Sequence, residues 1–251
     1  MIWAIDIGNS RVVSGWMGDL KAVRRHAAHT QVLHAPSTAL RWARALRKLG
    51  EADQVIVSSV VPPVDSFVAK AVRKVFGKKA DFVVPGDPKL GIEIRYKKPR
   101  EVGADRVVNS LAAKHLYGSP VIVVDYGTGT TFDVVDKTGA YRGGVIVPGI
   151  GMSLKAMHDQ TAKLPLVKFA KVKKTVGRTT TEAIRSGIYY GTLGETREIL
   201  SRIRKELGAA RCPAVATGGW CHVFENTGLF RDIEPDLTLI GLALAAGRLH
   251  A

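Results

Sequence analysis

Apolar positions along this chain follow two rhythms. Short β-branched runs end on an acidic residue and a glycine-bearing turn, and between them apolar residues recur at helical spacing. Met1 to Val13 reads as a strand through Ile5, then Asp6, a Gly8-Asn9-Ser10 turn and a second apolar run. Ser37 after Pro36 predicts a helix N-cap, with Leu40, Ala43, Leu46 and Leu49 in register until Gly50. Val55 to Val60 predicts a strand closed by Pro62-Pro63. Val64, Phe67, Val68, Ala71, Val72 and Val75 mark an amphipathic helix ending near Gly77, and residues 81–84 a short strand. Residues 85–103 form an extended segment in which Ile92, Ile94 and Tyr96 alternate as in an edge strand, leading into a helix behind Gly103-Ala104-Asp105-Arg106.

Val121 to Asp136 repeats the opening layout: apolar strand, Asp125, a Gly127-Thr128-Gly129 turn, then a second β-branched run. A strand with close-approach glycines follows at 141–151 and opens into a helix around Met152 to His158. A basic loop from Lys168 to Thr181 precedes a helix from Glu182 to Leu207 with a glycine break. Ala214 to Trp220 is a third strand-to-glycine unit, suited to letting backbone approach an adenosine, or equally a tight strand–helix connection. Residues 235–249 predict a helix free to pack on either half.

The repeat matters most. Asp6 and Asp125 hold matching places in two strand–turn–strand units, and internal repetition constrains a whole fold. Small residues, hydroxyls and backbone N–H groups beside a carboxylate suit a phosphate chain that carries a cation. Alone, either stretch reads equally as an ordinary glycine-rich hairpin, and chance similarity is the competing account of the pair. Taken together they predict an α/β fold of duplicated actin-like (ribonuclease H-like) architecture. Two lobes of mixed sheet flanked by helices would span residues 1–117 and 118–251, with a nucleotide in the inter-lobe cleft and the C-terminal helix able to pack back on the first lobe. No Walker A pattern occurs, so any phosphates must be held by the hairpins.

Composition narrows the picture further. A length of 251 residues suffices for a sizeable core, and 46% hydrophobic with 24% charged residues is ordinary for a globular protein. No apolar run reaches the roughly 18 residues of a membrane span, and no signal peptide is evident. Cys212 and Cys221 match no metal spacing, so reduced thiols in a cytoplasmic protein are expected. The net charge of +15 raises nucleic-acid binding. However, the basic residues are scattered over helices and loops without interleaved aromatics, which favours a solvated surface or an anionic substrate.

With these motifs in order, the chain resembles the type III pantothenate kinases. The resemblance rests on Asp6 to Ser10, Ser59 to Pro62, Gly103 to Arg106 with Asn109, Asp125 to Asp133, and Gly143 to Gly149. It continues through Thr161 to Pro165, Gly177 to Thr180, Thr217 to Gly219 and Asp236 to Leu242. It implies ATP-dependent phosphorylation of pantothenate, the first step towards coenzyme A, by a homodimer using Mg²⁺ and a monovalent cation, potassium or ammonium. Carried over, Asp105 is the base, and Tyr96, Gly103, Ala104, Arg106 and Thr180 bind pantothenate, Thr180 across the dimer interface. Asp6, Ile7, Gly8, Asn9, Ser10, Arg11, Val12 and Val13 hold the phosphates with Asp6 near Mg²⁺. Thr128 contacts ATP, and Asp125 binds the monovalent cation. Ser10 replaces the family's usual Thr, Gly129 a common Ala, and Thr179 a frequent Asn, the last weakening the assignment of Thr180. Competing expectations are a non-catalytic transcriptional accessory factor on the same scaffold and another actin-like phosphotransferase, such as a sugar kinase or polyphosphatase.

Overall fold

The computed structural model describes residues 1–249. The chain divides into two compact units: residues 1–118 with 139–143 and Asp236 onward, and residues 119–138 with 144–235.

In the first unit, strands β1 (Ile2–Ile7), β2 (Arg11–Gly18), β3 (Lys21–His29), β4 (Gln54–Ser59) and β5 (Ala80–Phe82) form a sheet in the order β3-β2-β1-β4-β5. β1 pairs antiparallel with β2 and parallel with β4. Helices α1 (Pro36–Leu49) and α2 (Pro62–Phe76) cover one face. There Trp3, Ile5, Ile7, Val12, Val55 and Val57 pack with Trp42, Leu46, Val64 and Val68. Because successive strand residues point to opposite faces, Ala4, Asp6, Ile56 and Ser58 occupy the other side. That side carries α3 (Ala104–Tyr117) and α6 (Leu237–Leu249), α6 lying against β1, β2 and β4. α6 is apolar almost all round, as a helix enclosed on several sides must be.

The second unit contains β6 (Val121–Tyr126), β7 (Gly129–Val135), β9 (Ala214–Thr217) and β10 (Asp232–Ile233). With β8 (Tyr141–Pro148) these form a second sheet in the order β8-β7-β6-β9-β10. β6 again pairs antiparallel with the next strand and parallel with the strand on its other side. The two sheets therefore have one topology, β1 to β5 matching β6 to β10. Ile122, Val124, Tyr126, Phe132, Ala214 and Ala216 face α4 (Ile150–Asp159) and α5 (Thr180–Glu206) through Leu154, Ile184, Tyr189 and Leu200. The same helix-flanked mixed sheet thus occurs twice in the chain, as the duplicated strand–turn–strand pattern predicts.

Several local expectations are corrected. Ala35, not Ser37, is the N-cap of α1, with Pro36 in the first turn. Pro62-Pro63 opens α2 instead of closing a strand; proline suits a first helical turn because its missing N–H would have no helical partner there. Residues 92–96 make only a single bridge, Ile94 to Tyr141, among 3₁₀ turns at Pro88–Leu90 and Pro99–Glu101. α5 runs unbroken past its glycines. Most side chains of β3 are exposed, so no apolar alternation marks it in the sequence, and pairing with β2 defines it. Cys212 and Cys221 are both buried free thiols. Among the described residues no helix is long and apolar enough to cross a membrane.

α6 meets α3 at Gly241, where an added Cβ would lie 2.0 Å from the carbonyl oxygen of Val108. Gly247, on the same helix, has open space. Gly241→Ala should thus destabilise by about 1–3 kcal/mol, whereas Gly247→Ala should stabilise by roughly 0.5–1 kcal/mol. Urea unfolding midpoints of the two variants check the opposite signs.

Candidate active site

The first acidic turn is built tightly. Gly8 N donates to Arg11 O at 3.0 Å, closing the bend between β1 and β2. Thr30 then clamps the bend from outside: its hydroxyl donates to Gly8 O at 2.6 Å and its amide to Ser10 O at 3.1 Å. Asn9, Ser10 and Arg11 are left exposed at the tip, with Asp6 half-buried at the end of β1. Nothing in the sequence pointed to Thr30, because it lies beyond the hairpin it holds.

Asp105 sits in the first turn of α3, whose N-cap is Gly103. Its Oδ1 accepts from the Arg106 amide at 2.8 Å. A Cβ on Gly103 would stand 2.4 Å from that same oxygen, so only glycine leaves the carboxylate its place. The same Cβ would be 3.5 Å from Val60, and the Val60 amide donates to Ile7 O at 3.0 Å. That run of contacts ties the start of α3 to the first hairpin. Burial pushes the Asp105 carboxyl above the usual aspartate range, opposed by the Arg106 amide and guanidinium.

The Arg106 guanidinium lies 6.0 Å from the ring centroid of the buried Tyr141. Residues 93–95 pair with Tyr141 through Arg95 N to Tyr141 O and Tyr141 N to Glu93 O, both 2.8 Å. Two residues on, the exposed Tyr96 ring lies against Gly143, whose φ of 109° favours glycine and where an added Cβ would stand 3.3 Å from the ring. Tyr96, Gly103, Ala104, Asp105, Arg106 and the hairpin from Asp6 to Val13 thus all belong to the first unit.

Asp125, Thr128 and Thr180 belong to the second. Two glycines wall the Asp125 carboxylate: a Cβ on Gly127 would be 3.3 Å from Oδ1, and one on Gly218 only 2.3 Å. Gly218 adopts φ +89°, so the glycine after β9 serves both its turn and this close approach. Thr128 is exposed, and its backbone rests on Gly149, where a Cβ would strike Thr128 O at 2.1 Å. The Cys221 thiol is pushed up to about 11, first by burial and further by the charge of Asp125, so it stays protonated at neutral pH. Thr180 is exposed at the first position of α5. Thr179 acts as that helix's N-cap, accepting from Glu182 N at 3.2 Å, which a frequent Asn there would do equally well.

Among the described residues no group of three or more His, Cys, Asp or Glu gathers for a metal. A Mg²⁺ at Asp6 would accordingly be held by one carboxylate, water and substrate phosphates, the usual arrangement for that ion in phosphotransferases. Asp125 likewise offers one half-buried carboxylate, walled by Gly127 and Gly218, that could serve as a single donor to a cation.

The family described as type III pantothenate kinase matches residues 2–202. A type III pantothenate kinase of Solibacter usitatus is 39% identical over 262 aligned positions, covering 100% of this chain and 97% of the relative. Among solved structures, a Baf family transcriptional activator from Campylobacter jejuni superposes with TM-score 0.63 at 16% identity, covering 99% and 98% of the two chains. An inorganic polyphosphate/ATP-glucomannokinase from Arthrobacter gives 0.51 at 14%, covering 100% and 99%. At those identities the structures speak for the fold alone.

The raised Asp105 carboxyl has a stability consequence. The fold favours its neutral form, so its favourable contribution is full below the unfolded value near 4 and is lost as pH rises through the folded value. Asp105→Asn should melt higher than the parent at pH 7, with the gap closing below about pH 4. Calorimetry across that range checks the sign, and a lower melting temperature at pH 7 would contradict it.

Proposed function

The chain belongs to the type III pantothenate kinase family and phosphorylates pantothenate with ATP towards coenzyme A, and from that premise we propose which residues carry the reaction. Asp105 accepts the proton of the pantothenate hydroxyl as its oxygen bonds to the γ-phosphorus and ADP leaves. A general base of this kind contributes about 10²–10⁴-fold. Its desolvated carboxylate, held by the Arg106 amide, is a stronger base than an aspartate in water, and this single observation carries the assignment.

Arg106, fixed over Tyr141, pairs with the pantothenate carboxylate through a charge-assisted hydrogen bond. Gly103 and Ala104 shape the floor of that site, and Tyr96 closes over it. Residues 6–13 would cradle the phosphates, with Asp6 the residue to hold Mg²⁺, which when bound would supply positive charge against the phosphate oxygens. Asp125 takes a monovalent cation, potassium or ammonium, and Thr128 contacts ATP. No covalent intermediate is needed, because positioning and charge neutralisation dominate phosphoryl transfer.

We further propose a homodimer in which Thr180 reaches the pantothenate of the partner copy. Supporting it, the second unit exposes apolar side chains close to Thr180 in sequence, Leu166 at 65% and Val176 at 82%, with Ile146 at 64% on the edge strand β8.

ADP release should require pantothenate and should fall sharply when potassium is exchanged for sodium. Asp105→Asn should lower kcat by at least about 10²-fold while MgATP binding persists. A coupled ADP assay measures both, and near-normal turnover of the variant would remove Asp105 from the role of base. Sedimentation of the parent and of Val176→Asp should show a dimer weakened by the substitution; a parent that sediments as a monomer would rule the dimer out.

A further inference from the structure

Two buried hydroxyls stand at equivalent places in the two sheets. Ser58, the last residue but one of β4, is in register with Asp6, and Thr217, the last residue of β9, is in register with Asp125. They are 0% and 1% exposed, and neither hydroxyl oxygen has a hydrogen-bond partner among the described residues. An unmet buried hydroxyl is unfavourable by about 1–3 kcal/mol, so meeting it twice, beside the matching carboxylates of a duplicated fold, calls for a reason.

The neighbours sharpen the pattern. On its other flank Asp6 has Val13, which cannot hydrogen-bond through its side chain, and Asp125 has Thr131, whose hydroxyl is given to Asp133 at 2.9 Å. Ser59, next to Ser58, is also engaged, donating to Asp65 at 2.6 Å and accepting from the Val61 amide. Each strand-end acid therefore has one uncommitted hydroxyl beside it, on the adjoining parallel strand and the same face. Paired strands run about 4.8 Å apart, a gap that a hydroxyl and a carboxylate close by side-chain rotation.

We propose that Ser58 and Thr217 are positioning residues, each donating to the neighbouring carboxylate, Asp6 or Asp125, when that carboxylate turns to a cation–polyphosphate ligand. The donated hydrogen bond fixes one oxygen and leaves the other directed at the cation or its waters. Ser58 thereby serves the divalent ion carried by the nucleotide, and Thr217 the monovalent ion. This rests on the cation roles proposed above for Asp6 and Asp125.

The test uses the full chain without pantothenate, so it reads separately from pantothenate phosphorylation itself. Thermal shifts are titrated with MgATP, and with potassium against sodium at fixed MgATP. Ser58→Ala should leave the unliganded melting temperature unchanged or raised and should weaken MgATP roughly 10-fold, as expected for losing a hydrogen bond to a charged group. Ser58→Thr should retain parental binding. Thr217→Val, equal in shape, should raise the half-saturating potassium concentration by a similar factor with little change in MgATP affinity, and Thr217→Ser should rescue it. Parental titrations for Ser58→Ala and Thr217→Val would overturn the proposal. So would Ser58→Thr and Thr217→Ser variants as impaired as those lacking the hydroxyl, or a marked loss of unliganded stability, since each of those outcomes marks a packing role.

Discussion

The structure depends on giving carboxylates room at the ends of strands and helices. Asp105 and Asp125 each sit where a β-carbon on a nearby glycine would collide with the carboxylate, Gly103 at 2.4 Å and Gly218 at 2.3 Å. The glycines are thus defined by what lies beside them as well as by their own backbone. A carboxylate packed this closely loses part of its water, and for Asp105 the loss of hydration outweighs the neighbouring amide and guanidinium. The same crowding that fixes its position makes it a better proton acceptor.

Duplication explains much of the rest. Both sheets place their acid at the end of the strand that has an antiparallel neighbour on one side and a parallel neighbour on the other. The halves then diverge in what surrounds the acid. In the first, Thr30 clamps the turn, whereas in the second Gly149 lets backbone pack directly on Thr128. The elements proposed for the pantothenate side, Tyr96 and the start of α3, belong to the first unit alone, together with the short excursion at 139–143 that supplies Tyr141 and Gly143.

Much of this was legible in local pattern. β-branched runs ending on Asp6 and Asp125 marked the two central strands, because alternation and turn residues act over a few positions. Helical spacing located α1, α2 and the final helix. Helix starts are less legible: Ser37 carries a cap signal, yet Pro36 in the first turn and an extended Ala35 set the boundary. The pair Pro62-Pro63 looked like a stop and is a start, since proline is compatible with either and the chain beyond it decides.

The sequence by itself determined the strand–turn–strand repeat, the residue types at each acidic bend and the family to which they point, since these are encoded within a dozen neighbouring positions. Only the tertiary structure decided that α6 covers the first sheet, that Thr30 clamps the first turn, that Tyr141 lies under Arg106, and that Ser58 and Thr217 flank Asp6 and Asp125. Each of those pairings joins residues 20 or more positions apart, and β3 is a strand only because β2 lies beside it. Local periodicity reports the face a residue turns to the core; which distant element meets that face is settled by the packing of the whole chain.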